Sequence, residues 1–123
     1  MIERYHVSNR DGARRAEAVV AGGLIFFSGL QAEDLTSDAG RQLTAALRRL
    51  DTLMAELGET QRSLLMVHLW LKDMADFAVM NEAWNAWADQ EAPPARTCVS
   101  GALSRPDVLV EVVAIAACSG GSR

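Results

Sequence analysis

Two charged residues stand where charge is costly. Arg96 opens an extended segment, Pro94-Ala95-Arg96-Thr97-Cys98-Val99. Glu111 lies fifteen residues later, as Val110-Glu111-Val112, within a run that is otherwise apolar. A charge among Val, Leu, Ile and Ala is disfavoured unless it is paired or used. Used together, the two have a definite chemistry. A guanidinium grips a planar carboxylate as a two-pronged fork, a role that suits Arg better than Lys. A carboxylate beside a reactive carbon can aim a water and assist proton transfer, with no metal or organic cofactor required. The plain alternatives are that Arg96 ties down a strand start or a subunit contact, and that Glu111 is the buried structural partner of Arg15 or Arg96.

The remaining polar candidates carry less. Ser28-Gly29 closes an apolar strand, where a hydroxyl can line a cleft or simply end the strand. Cys98 has no histidine near it in sequence and reads as a small buried hydrophobe rather than a nucleophile. His68, inside an apolar run, reads as a satisfied core histidine, and His6 is too isolated for a metal site. Two cysteines, Cys98 and Cys118, are too few for a disulfide framework or a cysteine zinc site, and read as thiols.

The elements that must position these residues follow from periodicity. Residues 19–27 are β-branched and aromatic with Gly22-Gly23 inside, which predicts two short strands and a tight turn. Leu43, Leu47, Leu50, Met54 and Leu57 form one helical stripe; Ser37 or Asp38 can cap its start and Gly58 suits a left-handed stop. Residues 64–71 are nearly continuously apolar and predict a buried strand. Asp73 then caps a second helix bearing Phe77, Met80, Trp84 and Trp87, stopped by Pro93-Pro94. Two strands close the domain, about 96–103 and 108–117, with Ser104-Arg105-Pro106-Asp107 as the turn between them. Joined as an antiparallel hairpin, they set Glu111 opposite Ser100 and Arg96 opposite Ile115. Arg96, Cys98, Ser100 and Glu111 then share one face, several residues apart, with room for a water or substrate between.

The order β-β-α-β-α-β-β predicts an α+β domain, a mixed and mostly antiparallel sheet with two helices on one face. Length suits one domain: the chain has 123 residues, of which half are apolar. Residues 1–15 are expected to be partly loop, with 8–15 polar and mobile, and 119–123 a frayed tail. Two helices cover one sheet face only, yet the strands at 64–71 and 108–117 are apolar on both sides. The uncovered face predicts a homo-oligomer. A net charge of −4 argues against a dedicated nucleic-acid binder. No apolar run approaches the ~20 residues of a membrane span, and the N-terminus lacks the apolar core of a signal peptide. A cytoplasmic location is the default expectation.

The 94–99 segment with Glu111 fifteen residues after the arginine resembles the signature of the RidA/YjgF family. Ser28-Gly29, Leu71-Lys72-Asp73 before Phe77, and Asn81 support the match, which spans about residues 15–117. The resemblance implies a single RidA-like domain over 1–123, a chorismate-mutase-like fold, and a homotrimer with a cleft between each pair of subunits. It implies hydrolysis of 2-imino acids, such as 2-iminobutanoate and 2-iminopropanoate, to 2-keto acids and ammonia. On that reading Arg96 binds the substrate carboxylate, Glu111 positions or activates water, Ser28 lines the cleft, and the backbone of Cys98 lies beside the substrate. No cofactor, metal, nucleic acid or membrane enters the expectation; the partner is a small carboxylate or imino acid. Deaminating members carry a tyrosine thirteen residues before the serine, and here that position is Arg15. A second arginine in the cleft would favour a dianionic ligand or pair with Glu111 and shut down water activation. The competing reading is a divergent or non-catalytic carboxylate binder with a regulatory role. RNA cleavage, an old label in this family, sits poorly with the acidic balance and the lack of a histidine pair.

Overall fold

The computed structural model describes residues 1–119. Its chain order is β1 (Glu3–Tyr5), β2 (Ala18–Ala21), β3 (Leu24–Phe27), α1 (Ala39–Glu56), β4 (Leu64–Leu71), α2 (Phe77–Trp87), β5 (Ala95–Ser100) and β6 (Val110–Ala117). The strands form one six-stranded sheet in the order β1-β2-β3-β6-β4-β5. All pairings are antiparallel except β4 with β5, which the intervening α2 makes parallel.

Local chemistry sets most of these elements. Gly22 and Gly23 take φ of 59° and 78°, so Ala21 faces Leu24 across a two-residue turn. The Asp38 side chain accepts from the Arg41 amide at 2.9 Å and starts α1; Gly58, at φ 75°, follows its end. The stripe Leu43, Leu47, Leu50, Met54 and Leu57 is buried against the sheet with Val20, Ile25, Val67, Leu69 and Val112. Each such side chain contributes about 1.5–3 kcal/mol by leaving water. Asp73 accepts from the Ala75 amide and caps a 3-10 turn, Met74–Asp76, that runs into α2. Buried Gln42 pins the loop between β5 and β6 to α1. Its Nε2 donates to the carbonyls of Ser37 and Asp107, and its Oε1 accepts from the Leu109 amide.

Both helices lie on one face of the sheet, and the other face is open. Along β6 the residues Val110, Val112, Ala114 and Ala116 are buried, while Glu111, Val113, Ile115 and Ala117 alternate to the open side. Across that side run Val19, Phe26, Ile115 and Met66, then Val113 beside His68, and Glu111 beside Trp70. Phe26, Trp70 and Val99 are 43, 40 and 42 % exposed, large apolar groups in contact with solvent.

The structure departs from the sequence expectations in four places. First, β5 and β6 are not a hairpin. β4 lies between them, with Arg96 beside Val67 on one side and Glu111 beside Trp70 on the other. A helical crossover lets β5 add in parallel to β4, and β6, apolar on both faces, takes the interior slot between β3 and β4. Second, β5 stops at Ser100 and β6 starts at Val110, because the amides of Gly101 and Lys72 turn to Leu71 and Leu109 carbonyls at the end of β4. Third, the N-terminal stretch adds β1, and residues 8–15 are closed by paired backbone bonds between Ser8 and Arg15. Fourth, Ser119 is held by Glu59, which accepts from its amide and hydroxyl; the rest of the expected tail, 120–123, lies outside the described residues. No helix among the described residues is long and apolar enough to cross a membrane.

Candidate functional site

Glu111 reaches the open face because its neighbours Val110 and Val112 are needed in the core. Val112 also pairs with Leu30 through two backbone bonds, 2.7 and 2.9 Å, which draws residues 28–31 alongside β6. Gly29 is thereby pressed against the Glu111 side chain. A Cβ at position 29 would fall 2.6 Å from Glu111 Oε2 and 2.7 Å from its Cδ, closer than nonbonded atoms approach. Gln31 Nε2 donates to Glu111 Oε1 at 2.7 Å and reaches Ser104 Oγ at 3.1 Å. Among the described residues Glu111 forms no ion pair, so a half-buried carboxylate is oriented by an amide and a backbone contact, with no cation on it.

A cleft of about 630 Å³ opens here, lined by Arg15, Ser28, Gly29, Gln31, Arg105 and Glu111 among others. The Ser28 hydroxyl donates to the Ala16 carbonyl at 2.6 Å and its amide donates to the Glu17 carbonyl. Its proton is thus committed to holding the cleft wall, leaving only lone pairs for a ligand. Arg15 lines the cleft without touching Glu111 by ion pair; its Nη2 stands 3.7 Å from Asp11. Of the two outcomes open for a second arginine, pairing with Glu111 is the one the geometry does not adopt.

Arg96 lies on the opposite face. Its register partner Val67 and that of Cys98, Leu69, are both fully buried beneath the helices, so Arg96 and Cys98 project to the helix side. There the guanidinium sits against α2, its Cζ 5.4 Å from the ring centre of Trp84 and 6.0 Å from that of Phe77. Nη1 donates to Asn81 Oδ1 at 2.8 Å. No carboxylate pairs with Arg96 among the described residues, and its other N–H donors remain for a ligand. Burial pushes the Cys98 thiol up, and the Arg96 charge opposes this only in part. A protonated thiol is a poor nucleophile, in keeping with the hydrophobe read from sequence.

The expectation that Arg96 and Glu111 share a face is therefore corrected. Each stands on its own face, and the sheet separates them within one chain. Ser28, Arg15 and Glu111 come together; Arg96 and Cys98 come together elsewhere. His68 is satisfied, its Nδ1 bonded to Thr97 Oγ1 at 2.7 Å, but it stands half-buried on the open face rather than in the core. Two positioning residues escaped the sequence reading as such. Gln31 offered no signal. Asn81 did: Phe77, Asn81 and Trp84 fall at i, i+4 and i+7, one helix face, and all three flank the same guanidinium. Among the described residues no three His, Cys, Asp or Glu side chains gather to hold a metal.

A two-helix, six-strand α+β domain with one naked sheet face and a carboxylate cleft at its rim is the fold of a known class of structures. A YjgF-family protein of Neisseria meningitidis superposes with a TM-score of 0.88 and 36% identity, covering 95% of this chain and 94% of that one. The sequence profile of the family described as Endoribonuclease L-PSP matches residues 12–118. The chain belongs to this family, also called YjgF/RidA. A RutC family protein of Haemophilus influenzae is 36% identical over 108 residues, 86% of this chain and 92% of the relative. A 3-aminoacrylate deaminase, RutC, of Acinetobacter baylyi is 27% identical over 105 residues, 80% of this chain and 82% of the relative.

Proposed function

We propose that the protein is a deaminase of small imino or enamine acids whose site is completed between two protomers. The observation that carries this reading is the pair of half-buried charges that, among the described residues, have no ion-pair partner, Arg96 without a carboxylate and Glu111 without a cation, on opposite faces of one sheet. Desolvated charge of this kind is retained where a ligand or partner completes it. A neighbouring copy seated on the apolar open face, with its β5–α2 edge towards Glu111, would bring one protomer's Arg96 to the other's cleft. A homotrimer meets this requirement, each subunit giving one half-site and receiving the other.

In such a site Arg96 binds the substrate carboxylate through the donors that Asn81 leaves open. Glu111, aimed by Gln31 and Gly29, takes a proton from water as its oxygen adds to the imine carbon. The resulting carbinolamine loses its protonated nitrogen as ammonia and leaves a keto acid. A 3-amino enamine acid, as in the name of the Acinetobacter baylyi relative, joins this class after protonation at C2. The family membership and that one relative support deamination; 2-iminopropanoate and 2-iminobutanoate are the simplest substrates that fit.

The test is 2-iminopropanoate generated in situ with semicarbazide as competing trap. The protein should accelerate keto-acid release, and Arg96→Ala and Glu111→Gln should each reduce the effect about a hundred-fold or more. Co-refolding the two inactive variants should restore activity, because a mixed boundary pairs an intact Arg96 with an intact Glu111. Absence of turnover in wild-type protein would defeat the reading. Stabilisation by keto acids that is lost in Arg96→Ala, without turnover, would identify a carboxylate-binding module instead.

A further inference from the structure

The cleft beside Glu111 is lined by four arginines and four carboxylates, Asp11, Glu17, Glu33 and Glu111, but the arginines are not equally well paired. Arg10, Arg15, Arg49 and Arg105 all line it. Arg10 and Arg49 share one largely buried carboxylate, each 3.8 Å from Glu17 Oε1, and Arg49 also donates to the Gln31 carbonyl at 3.0 Å. The other two face carboxylates that are well exposed. Arg105 stands 4.0 Å from Asp107, both well exposed. Among the described residues Arg15 pairs with Asp11 alone, at 3.7 Å, a carboxylate 79% exposed. Exposed pairs this long hold their partners weakly and exchange readily for a better-placed anion.

Arg15 differs from Arg105 in how its backbone is held. Its amide and carbonyl both bond Ser8, each at 2.9 Å, and the next two residues accept from Ser28 Oγ and Ser28 N. A weakly engaged guanidinium thus rises from a pinned backbone, three residues before β2 begins and next to the stretch that holds Ser28. A rigid base with an underused cation at its tip is a binding element that costs little to organise.

We propose that Arg15 holds a second anionic group of the substrate, so that the protein prefers 2-imino dicarboxylates, imino acids whose side chain ends in a carboxylate. The proposal rests on the imine-hydrolase reading above. Arg96 takes the carboxylate beside the imine and Arg15, from the adjoining protomer, takes the distal one. Water adds across the C2=N bond, the C2–N bond then breaks, and the products are ammonia and a 2-keto dicarboxylate. The distal carboxylate takes no part in bond making and no oxidant or reductant is needed. Arg15 acts through affinity and selectivity, so its effect belongs in KM more than in kcat.

The experiment compares kcat/KM for the four-carbon imino dicarboxylate, made in situ by enzymatic oxidation of L-aspartate, with that for 2-iminobutanoate. Wild-type protein should favour the dicarboxylate roughly ten-fold or more, and Arg15→Gln should lower that preference about ten- to hundred-fold, mainly through KM, with Arg15→Lys recovering part of it. The thermal midpoint of each variant, read alongside, verifies that it is folded. Turnover of 2-iminobutanoate with a preference that Arg15→Gln leaves unaltered would overturn the subsite while leaving the imine-hydrolase reading standing. Turnover of neither imine would overturn both.

Discussion

Gly29 decides where the Glu111 carboxylate sits. Its φ needs no glycine, but a Cβ there would fall where Glu111 Oε2 now sits. Gly29→Ala should therefore swing Glu111 aside, a cheap motion for the end of a side chain, with a stability change within about 1 kcal/mol. In the proposed site activity should fall on the order of a hundred-fold, since misplacing a catalytic group by an ångström has that effect; a thermal melt beside the imine assay separates the two. His6 supplies a pH signature. It hydrogen-bonds Glu56 at 2.6 Å, and this contact with the neighbouring negative charge raises its pKa. A raised folded value means the stabilisation is fully present below the ordinary imidazole value and is lost as pH rises through the folded one. The effect is small because the pair is exposed. Melting temperature followed from pH 5 to 9 should show a slight fall as pH rises past the ordinary imidazole value, which His6→Ala abolishes. At this scale the charged pair Arg96 and Glu111 was legible, because charge inside apolar strands is conspicuous. The Gly29 contact was not, because it depends on a bridge between Leu30 and Val112, eighty-two residues apart.

Elements whose signals are local were read correctly. The α1 stripe, its Asp38 cap and the Gly22-Gly23 turn each require only residues within a few positions of one another. Pairing of β5 was misread because strand order is a long-range choice. Ser104 to Asp107 has turn chemistry and does turn the chain, yet it returns it to a different neighbour. With the wrong neighbour came the wrong face for Arg96, as register decides both together. Gln42 is the element-level lock on this connection. Gln42→Leu would strand two carbonyls and an amide in a dry place and should cost about 3 kcal/mol, measured by urea unfolding with unchanged slope.

For the whole molecule, the open sheet face is the feature on which the proposed assembly rests. Apolar alternation on both sides of β4 and β6 announced it in the sequence, and the structure exposes Phe26, Trp70 and Val99 there. The proposed assembly predicts that Phe26→Glu, on this face and outside both half-sites, lowers the mass seen by light scattering to that of one chain and removes imine turnover with it. An oligomer unaffected by that charge would place the subunit boundary elsewhere. A different consequence follows from the slot that β6 occupies. It is synthesised after every other strand of the sheet, yet it sits between β3 and β4. Until residue 117 has left the ribosome, the two halves of the sheet share no strand pairing and meet only through the α1 side chains beneath them. The nascent chain therefore cannot acquire its fold piecemeal, and translation of this domain should yield protease-resistant material in a single late step rather than gradually.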